Sequence, residues 1–244
     1  MSGRLGEDCG AVAADAAPAG YGDPRSGVNR RRLSIGGIAA LAGLAVLSAT
    51  QPRAAEPLRV AMLGDSLTAG YGLKPEQALP ARLEAALKAA GRDIVIANHG
   101  VSGDTTAGGL ARLDWLMGDK PRLVLVGLGA NDALRGLDPA ETERNLDAIL
   151  AKLKAAGAAL MLLGMKAPRN FGAQYVEAFD GLYERLAKKH DVPLYPFLLD
   201  GVATVAELNQ PDGIHPNLRG VDEIVARLAP AVIKTIDSLP KPTG

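Results

Sequence analysis

The chain has 244 residues, 48% of them hydrophobic, with 27 basic and 27 acidic side chains. That is enough for one well-cored domain and too little for two large ones, and zero net charge gives no reason to expect nucleic acid or an anionic membrane surface as partner. Aromatics make up only 4%, which argues against extended base-stacking or sugar-stacking platforms, and Cys9 is the only cysteine, which excludes a disulfide framework and a thiolate metal site.

Residues 1–27 are rich in Ala, Gly and Asp without pattern, and no structure is expected there. They read as an extended leader or as a start placed too early, Val28 being an alternative first residue. Arg30-Arg31-Arg32 then precedes an apolar stretch from Leu33 to Ser48, and Ala54 and Ala55 come before a polar start. This is the three-part plan of an export signal spanning 1–55, and Arg30 to Leu33 resembles a twin-arginine leader. A periplasmic or secreted protein is expected, with no stable membrane insertion once the signal is cut. The apolar stretch is short for a bilayer span and carries Gly36, Gly37 and Gly43. An uncleaved anchor stays open as the alternative, because Pro52 or Arg53 would stand three residues before the cut. No cysteine follows the stretch, which excludes a bacterial lipoprotein.

From residue 58 the pattern changes to alternation. Apolar runs suited to buried parallel strands occur at 58–63, 94–97, 123–128, 159–163 and 192–195. Helical spacing lies between them: Leu79, Leu83, Ala86, Leu87 and Ala90 share one face, and so do Leu146, Ile149, Leu150 and Leu153. Asp138-Pro139-Ala140-Glu141 opens the latter helix with a cap, a first-position proline and a third-position glutamate. Tyr175, Phe179, Leu182 and Leu186 mark another helix. Asn217 caps the last, with Val221, Ile224, Val225 and Leu228 inside. The expected architecture is α/β, a three-layer α/β/α domain over 56–238 with a five-stranded parallel sheet in the flavodoxin-like order 2-1-3-4-5. Residues 239–244 read as a frayed tail.

In such a sheet, functional groups gather at the carboxyl ends of the strands, near the point where strand order reverses. Four polar, glycine-bearing loops fall there: "GDSLTAGYG" with Ser66, "NHGVSGDTT" with Gly103, "GANDALRG" with Asn131, and "QPDGIHPN" with Asp212 and His215. A serine hydroxyl needs a base to become a nucleophile. Of the three histidines, His190 ends a charged helix and reads as a solvated cation, and His99 suits a supporting hydrogen bond near the rim. His215 has Asp212 three residues ahead, a spacing that lets the carboxylate fix the imidazole tautomer, so it is the candidate base. The backbone N–H groups of Ser66 and Gly103 and the side-chain amide of Asn131 are candidate oxyanion donors. Asp65, Asp104 and Asp132 read as loop-holding carboxylates, while Gly103 and Gly129 also fit plain turns. Leu67, Ile214 and Pro216 are the candidate acyl-binding residues. No G-x-S-x-G elbow surrounds Ser66, which sets the chain apart from the α/β-hydrolases.

On "LGDSLTAGYG", "VSGDTTAGGLARL", "LGANDALRG" and "QPDGIHPN", the chain resembles the SGNH (GDSL-type) hydrolases over about residues 58–236. It is similar in particular to their bacterial periplasmic esterase, thioesterase and lysophospholipase subgroup. The resemblance implies Ser66 as nucleophile, His215 as base and Asp212 as its orienter, with Ser66, Gly103 and Asn131 forming an oxyanion hole. It also implies that the Asn131–Leu137 loop rearranges over a bound acyl chain. The expected activity is hydrolysis of small-molecule acyl esters and thioesters through an acyl-enzyme, by a monomer needing no metal or organic cofactor. A carbohydrate O-acetyl esterase and a non-catalytic binding module are the alternatives.

Overall fold

The computed structural model describes residues 56–240. The expected export signal and residues 241–244 lie outside that range. Five strands, β1 (Leu58–Gly64), β2 (Ile94–Gly100), β3 (Leu123–Gly127), β4 (Ala159–Leu163) and β5 (Leu194–Tyr195), form one parallel sheet in the order β2-β1-β3-β4-β5. The central strands are apolar almost throughout because helices cover both faces. Val60 to Leu63 and Leu123 to Val126 are all buried.

The longer helices are α2 (Leu79–Ala89), α6 (Pro139–Ala155), α7 (Ala173–His190) and α8 (Leu218–Asp237). The shorter ones are α1 (Ser66–Ala69), α3 (Thr106–Ala111), α4 (Leu113–Gly118) and α5 (Ala130–Leu134). Helix α2 packs with α8, while α6 packs with α3 and α7. The anticipated caps form: Asp138 accepts from the Ala140 N–H at 2.9 Å, and Asn217 accepts from the Gly220 N–H at 3.1 Å. Each offsets one of the unpaired donors at a helix start.

Element limits differ from the sequence expectation where backbone chemistry intervenes. Strand β2 runs on to Gly100 because its pairing with β1 continues through His99 and Gly100. Strand β5 shrinks to two residues between Pro193 and Pro196, which have no N–H to give; Pro193 still accepts from Leu162 at 2.9 Å. Helices α3 and α4 replace what sequence periodicity left blank, since Gly108 and Gly109 dilute the helical signal there. The expected tail is anchored at its start: Leu239 packs on the core and Arg122 donates to the Pro240 carbonyl at 2.6 Å.

The order reversal lies at β1, flanked by β2 on one side and β3 on the other. The chain leaves β1 directly into Asp65 and Ser66. That exit is where a crevice between diverging loops is expected.

Candidate active site

Ser66 is the first residue of α1, two residues past the end of β1. Asp65 caps this short helix by accepting the Leu67 N–H at 3.0 Å. Thr68 folds back onto the strand exit so closely that a Cβ on Gly64 would overlap its hydroxyl and press on the Gly127 carbonyl. Only glycine fits there. The serine is thereby presented, part-exposed, at the end of a closely packed turn.

The hydroxyl meets its partner across 149 positions of sequence. His215 Nε2 lies 2.8 Å from Ser66 Oγ, and His215 Nδ1 lies 2.7 Å from Asp212 Oδ2. The other carboxylate oxygen of Asp212 accepts the N–H groups of Ile214 and His215, each at 3.0 Å. The His215 N–H, then the imidazole, then the Ile214 N–H hold the Asp212 carboxyl down to about 2. Three donors to one carboxylate keep it ionised and fix the ring beside it.

Two residues that the sequence reading did not single out secure this loop. Gln210 donates through Nε2 to the carbonyls of Tyr71, at 2.7 Å, and Pro216, at 3.0 Å, linking the histidine loop to the loop after α1. The Tyr71 ring lies 4.6 Å from the imidazole, centroid to centroid. Both sit inside the quoted motifs, but neither carries obvious chemistry in isolation.

On the other side of Ser66, Gly103 adopts φ 80°, a left-handed conformation that favours glycine. Arg135 donates to its carbonyl at 2.6 Å. Neither the Ser66 nor the Gly103 N–H takes an acceptor among the loop and cap hydrogen bonds of the described residues. The Asn131 amide donates to the Asp104 carbonyl at 3.0 Å and approaches Asp65 Oδ2 at 3.3 Å. Asn131 belongs to α5, so the expected loop is in fact a single helical turn followed by a bend.

A buried polar lattice stands behind these groups. Arg112 joins the Asp104 carboxylate, at 2.7 Å, to the Gly64 carbonyl, at 2.8 Å. Asp132 accepts the Thr106 N–H at 2.9 Å as well as its hydroxyl, locking the loop after β2 to α5. Asp65 is wholly buried, and burial pushes its carboxyl up to about 6 against the opposing pull of the Leu67 N–H and of His215. All three aspartates therefore hold loops, in line with their sequence context.

A cavity of about 480 Å³ opens beside the Ser66–His215 pair. Leu67 and Ile214 line it, together with Ser66, Gly103, Asn131 and His215. Pro216 does not: its antiparallel bridge with Asn209 turns it away, and it packs under α8 next to Gly220. The far wall comes from segments missed in the sequence, Met165 to Pro168 after β4 and Phe197 to Thr204 after β5. Their only sequence signal is apolar character straight after a strand.

The remaining histidines lie elsewhere. His99 supports no site group; it is buried, bonded to Asp119 at 2.8 Å and set edge-on against Trp115, bracing β2 on α4. His190 is not solvated, contrary to the sequence expectation. It lies 2.6 Å from Asp147, tying α7 to α6, with only a tenth of its side chain exposed.

A hydroxyl, an imidazole and a carboxylate in line, with free N–H groups at the mouth of an apolar cavity, form an arrangement suited to acyl transfer. Residues 62–222 match the family model described as the GDSL-like lipase/acylhydrolase family. The chain belongs to that family. It is similar to esterase TesA of Pseudomonas aeruginosa, 42% identical over 190 residues, covering 78% of this chain and 94% of that one. It is also similar to the thioesterase 1/protease 1/lysophospholipase L1 of Escherichia coli, 45% identical over 166 residues, or 68% of this chain and 78% of the relative. Among solved structures, the psychrotrophic esterase EstA of Pseudoalteromonas sp., captured inhibited by monoethylphosphonate, superimposes with a TM-score of 0.71. It is 32% identical, over 74% of this chain and all of that one.

Proposed function

We propose that the protein is a serine esterase and thioesterase acting on small-molecule acyl esters and thioesters, with Ser66 as nucleophile. The single observation that carries this is the 2.8 Å contact of His215 Nε2 with Ser66 Oγ, backed by Asp212 at 2.7 Å. His215 takes the serine proton as Oγ attacks the acyl carbon, and Asp212 stabilises the imidazolium that results. The tetrahedral oxyanion is received by the N–H groups of Ser66 and Gly103 and by the Asn131 amide. That amide gives up its longer contact, the 3.3 Å one to Asp65, to do so. His215 then returns the proton to the leaving alcohol or thiol, and a water attacking by the same route releases the acid.

The cavity wall supports acyl chains rather than acetyl groups on sugars: Leu67, Met165, Phe197 and Ile214 offer hydrocarbon contact and few groups to recognise hydroxyls. The names of the relatives, an esterase and a thioesterase/lysophospholipase, favour the same side. A panel of p-nitrophenyl esters from acetate to dodecanoate tests it. Turnover that rises with chain length and is lost in Ser66→Ala supports the reading; turnover of acetate alone would move it to the carbohydrate esterases.

The arginine cluster and apolar stretch before residue 56 support export, with the twin-arginine route as the specific proposal and a periplasmic or secreted hydrolase domain over 56–238 as the product. No helix among the described residues is long and apolar enough to cross a membrane. N-terminal sequencing of the exported protein locates the cut, and its elution volume tests the proposed monomer.

A further inference from the structure

Net neutrality conceals a local imbalance around the mouth of the active-site cavity. Nine large apolar side chains are exposed among the described residues, and all but Val95 and Trp115 either line that mouth or lie within three residues of one that does. Tyr71, Leu134 and Ile214 line the opening themselves. Phe171 lies where a Cβ on Gly136 would touch it, two residues beyond Leu134, and Val205 follows the lining residue Thr204. Scattered exposed apolar residues mean little, but a ring of them around one opening marks a contact surface.

The Asp212 carboxylate beside Ile214 is taken up by the His215 ring and by the Ile214 and His215 N–H groups, which leaves cations as the charge carried by the cavity wall. Lys166 and Arg169 line the cavity and Arg135 reaches the Gly103 carbonyl, whereas no carboxylate lines the cavity. Arg169 is paired with Asp180. Lys166 instead rests over the Phe197 ring, and Arg135 bonds a backbone carbonyl; neither pairs with a carboxylate among the described residues.

We propose that this rim docks on a lipid surface bearing anionic headgroups, so that the cavity takes its acyl substrate directly from the aggregate. The inference rests on the esterase reading of the site. An acyl chain leaving a lipid layer would find apolar contact both at the opening, from Tyr71, Leu134 and Ile214, and in the wall, from Leu67, Met165 and Phe197. The cations would meet the headgroups while the apolar tips enter the interface.

The test uses the Ser66→Ala protein, which cannot consume the lipid, sedimented with vesicles of phosphatidylcholine alone or mixed with phosphatidylglycerol. Binding to the mixed vesicles is expected to be several-fold stronger and to weaken with salt; equal, salt-independent binding to both overturns the headgroup assignment. Adding Phe171→Ser and Val205→Ser, neither of which lines the cavity, should lower vesicle binding about tenfold. The same pair in the active protein should leave kcat/KM on a soluble short-chain ester unchanged. Val205→Ser alone, which spares the Phe171–Tyr175 ring contact, gives a smaller loss in the same direction. Unaltered binding by the double variant overturns the proposal, whatever else holds the chain to the vesicle. So does an equal loss in Trp115→Ser, whose ring is exposed on another face. A change of oligomeric state in the double variant without a change in vesicle binding would make the rim a dimer interface instead. Failure of the active protein to hydrolyse the soluble ester would overturn the esterase reading separately from the docking result.

Discussion

Asp65 carries a stability cost that depends on pH in a predictable direction. Its carboxyl is wholly buried and rises from the ordinary 3.8 to about 6, chiefly through burial. Between those values the folded protein holds a proton that the unfolded chain has released, so folding stability falls as pH rises through the window. The cost is absent below about pH 4 and complete above about pH 6. At about 1.4 kcal/mol for each tenfold change in proton affinity, the rise from 3.8 to about 6 amounts to roughly 3 kcal/mol. Asp65→Asn removes the charge while its side-chain oxygen can still accept the Leu67 N–H. Urea unfolding of the parent and the variant at pH 4, 5, 6 and 7.5 reads the difference directly. The variant should gain on the parent by about 3 kcal/mol between pH 4 and 7.5, with the change centred between the two values. A difference that stays constant with pH would refute the buried, proton-holding state of this carboxyl. The same substitution should lower kcat, because two amide groups would face each other where Asp65 now accepts from Asn131.

Other substitutions probe the remaining parts of the site and its support. Asn131→Ala should reduce kcat by about 10²–10³-fold with little change in melting temperature; an unchanged kcat would leave the amide only its structural bond to Asp104. Asp212→Asn should slow turnover less than His215→Ala, measured on one ester, because the base survives without its orienter; the reverse ranking would deny Asp212 that role. Since the Asp212 carboxyl is held down to about 2, first by the His215 N–H, it stays ionised through the working range. The kcat/KM profile should therefore show no limb from it above about pH 3. Tyr183→Phe strands the buried Leu128 carbonyl that the phenol now bonds at 3.0 Å, and should cost about 1–3 kcal/mol in chemical denaturation without altering KM.

What sequence reasoning could reach follows from where the information sits. Strands β1 and β3 are buried on both faces, so their apolar runs are unbroken, and the parallel sheet follows from the alternation of strands and helices. The groups of the site announce themselves because each lies in one short loop, and parallel topology gathers those loops at one edge. His215 and Asp212 are three residues apart, so their pairing is a local matter. Several of the misses are non-local. Arg112 reaches the Gly64 carbonyl across 48 positions, and His190 finds Asp147 across 43. Nothing within either segment reports such a partner. Pro216 misled because adjacency to His215 does not fix direction; the bridge to Asn209 turns it inward. The far cavity wall was invisible because Met165 and Phe197 look like any apolar residue after a strand.

The account depends on Ser66 Oγ being activated by His215 at 2.8 Å. Labelling with a fluorophosphonate, followed by mass spectrometry of the peptide containing residue 66, measures that activation directly. The expected result is stoichiometric modification of Ser66, absent in Ser66→Ala and slowed by orders of magnitude in His215→Ala. Labelling of Ser66 at the same rate without His215, or no labelling of a folded protein at all, would contradict it.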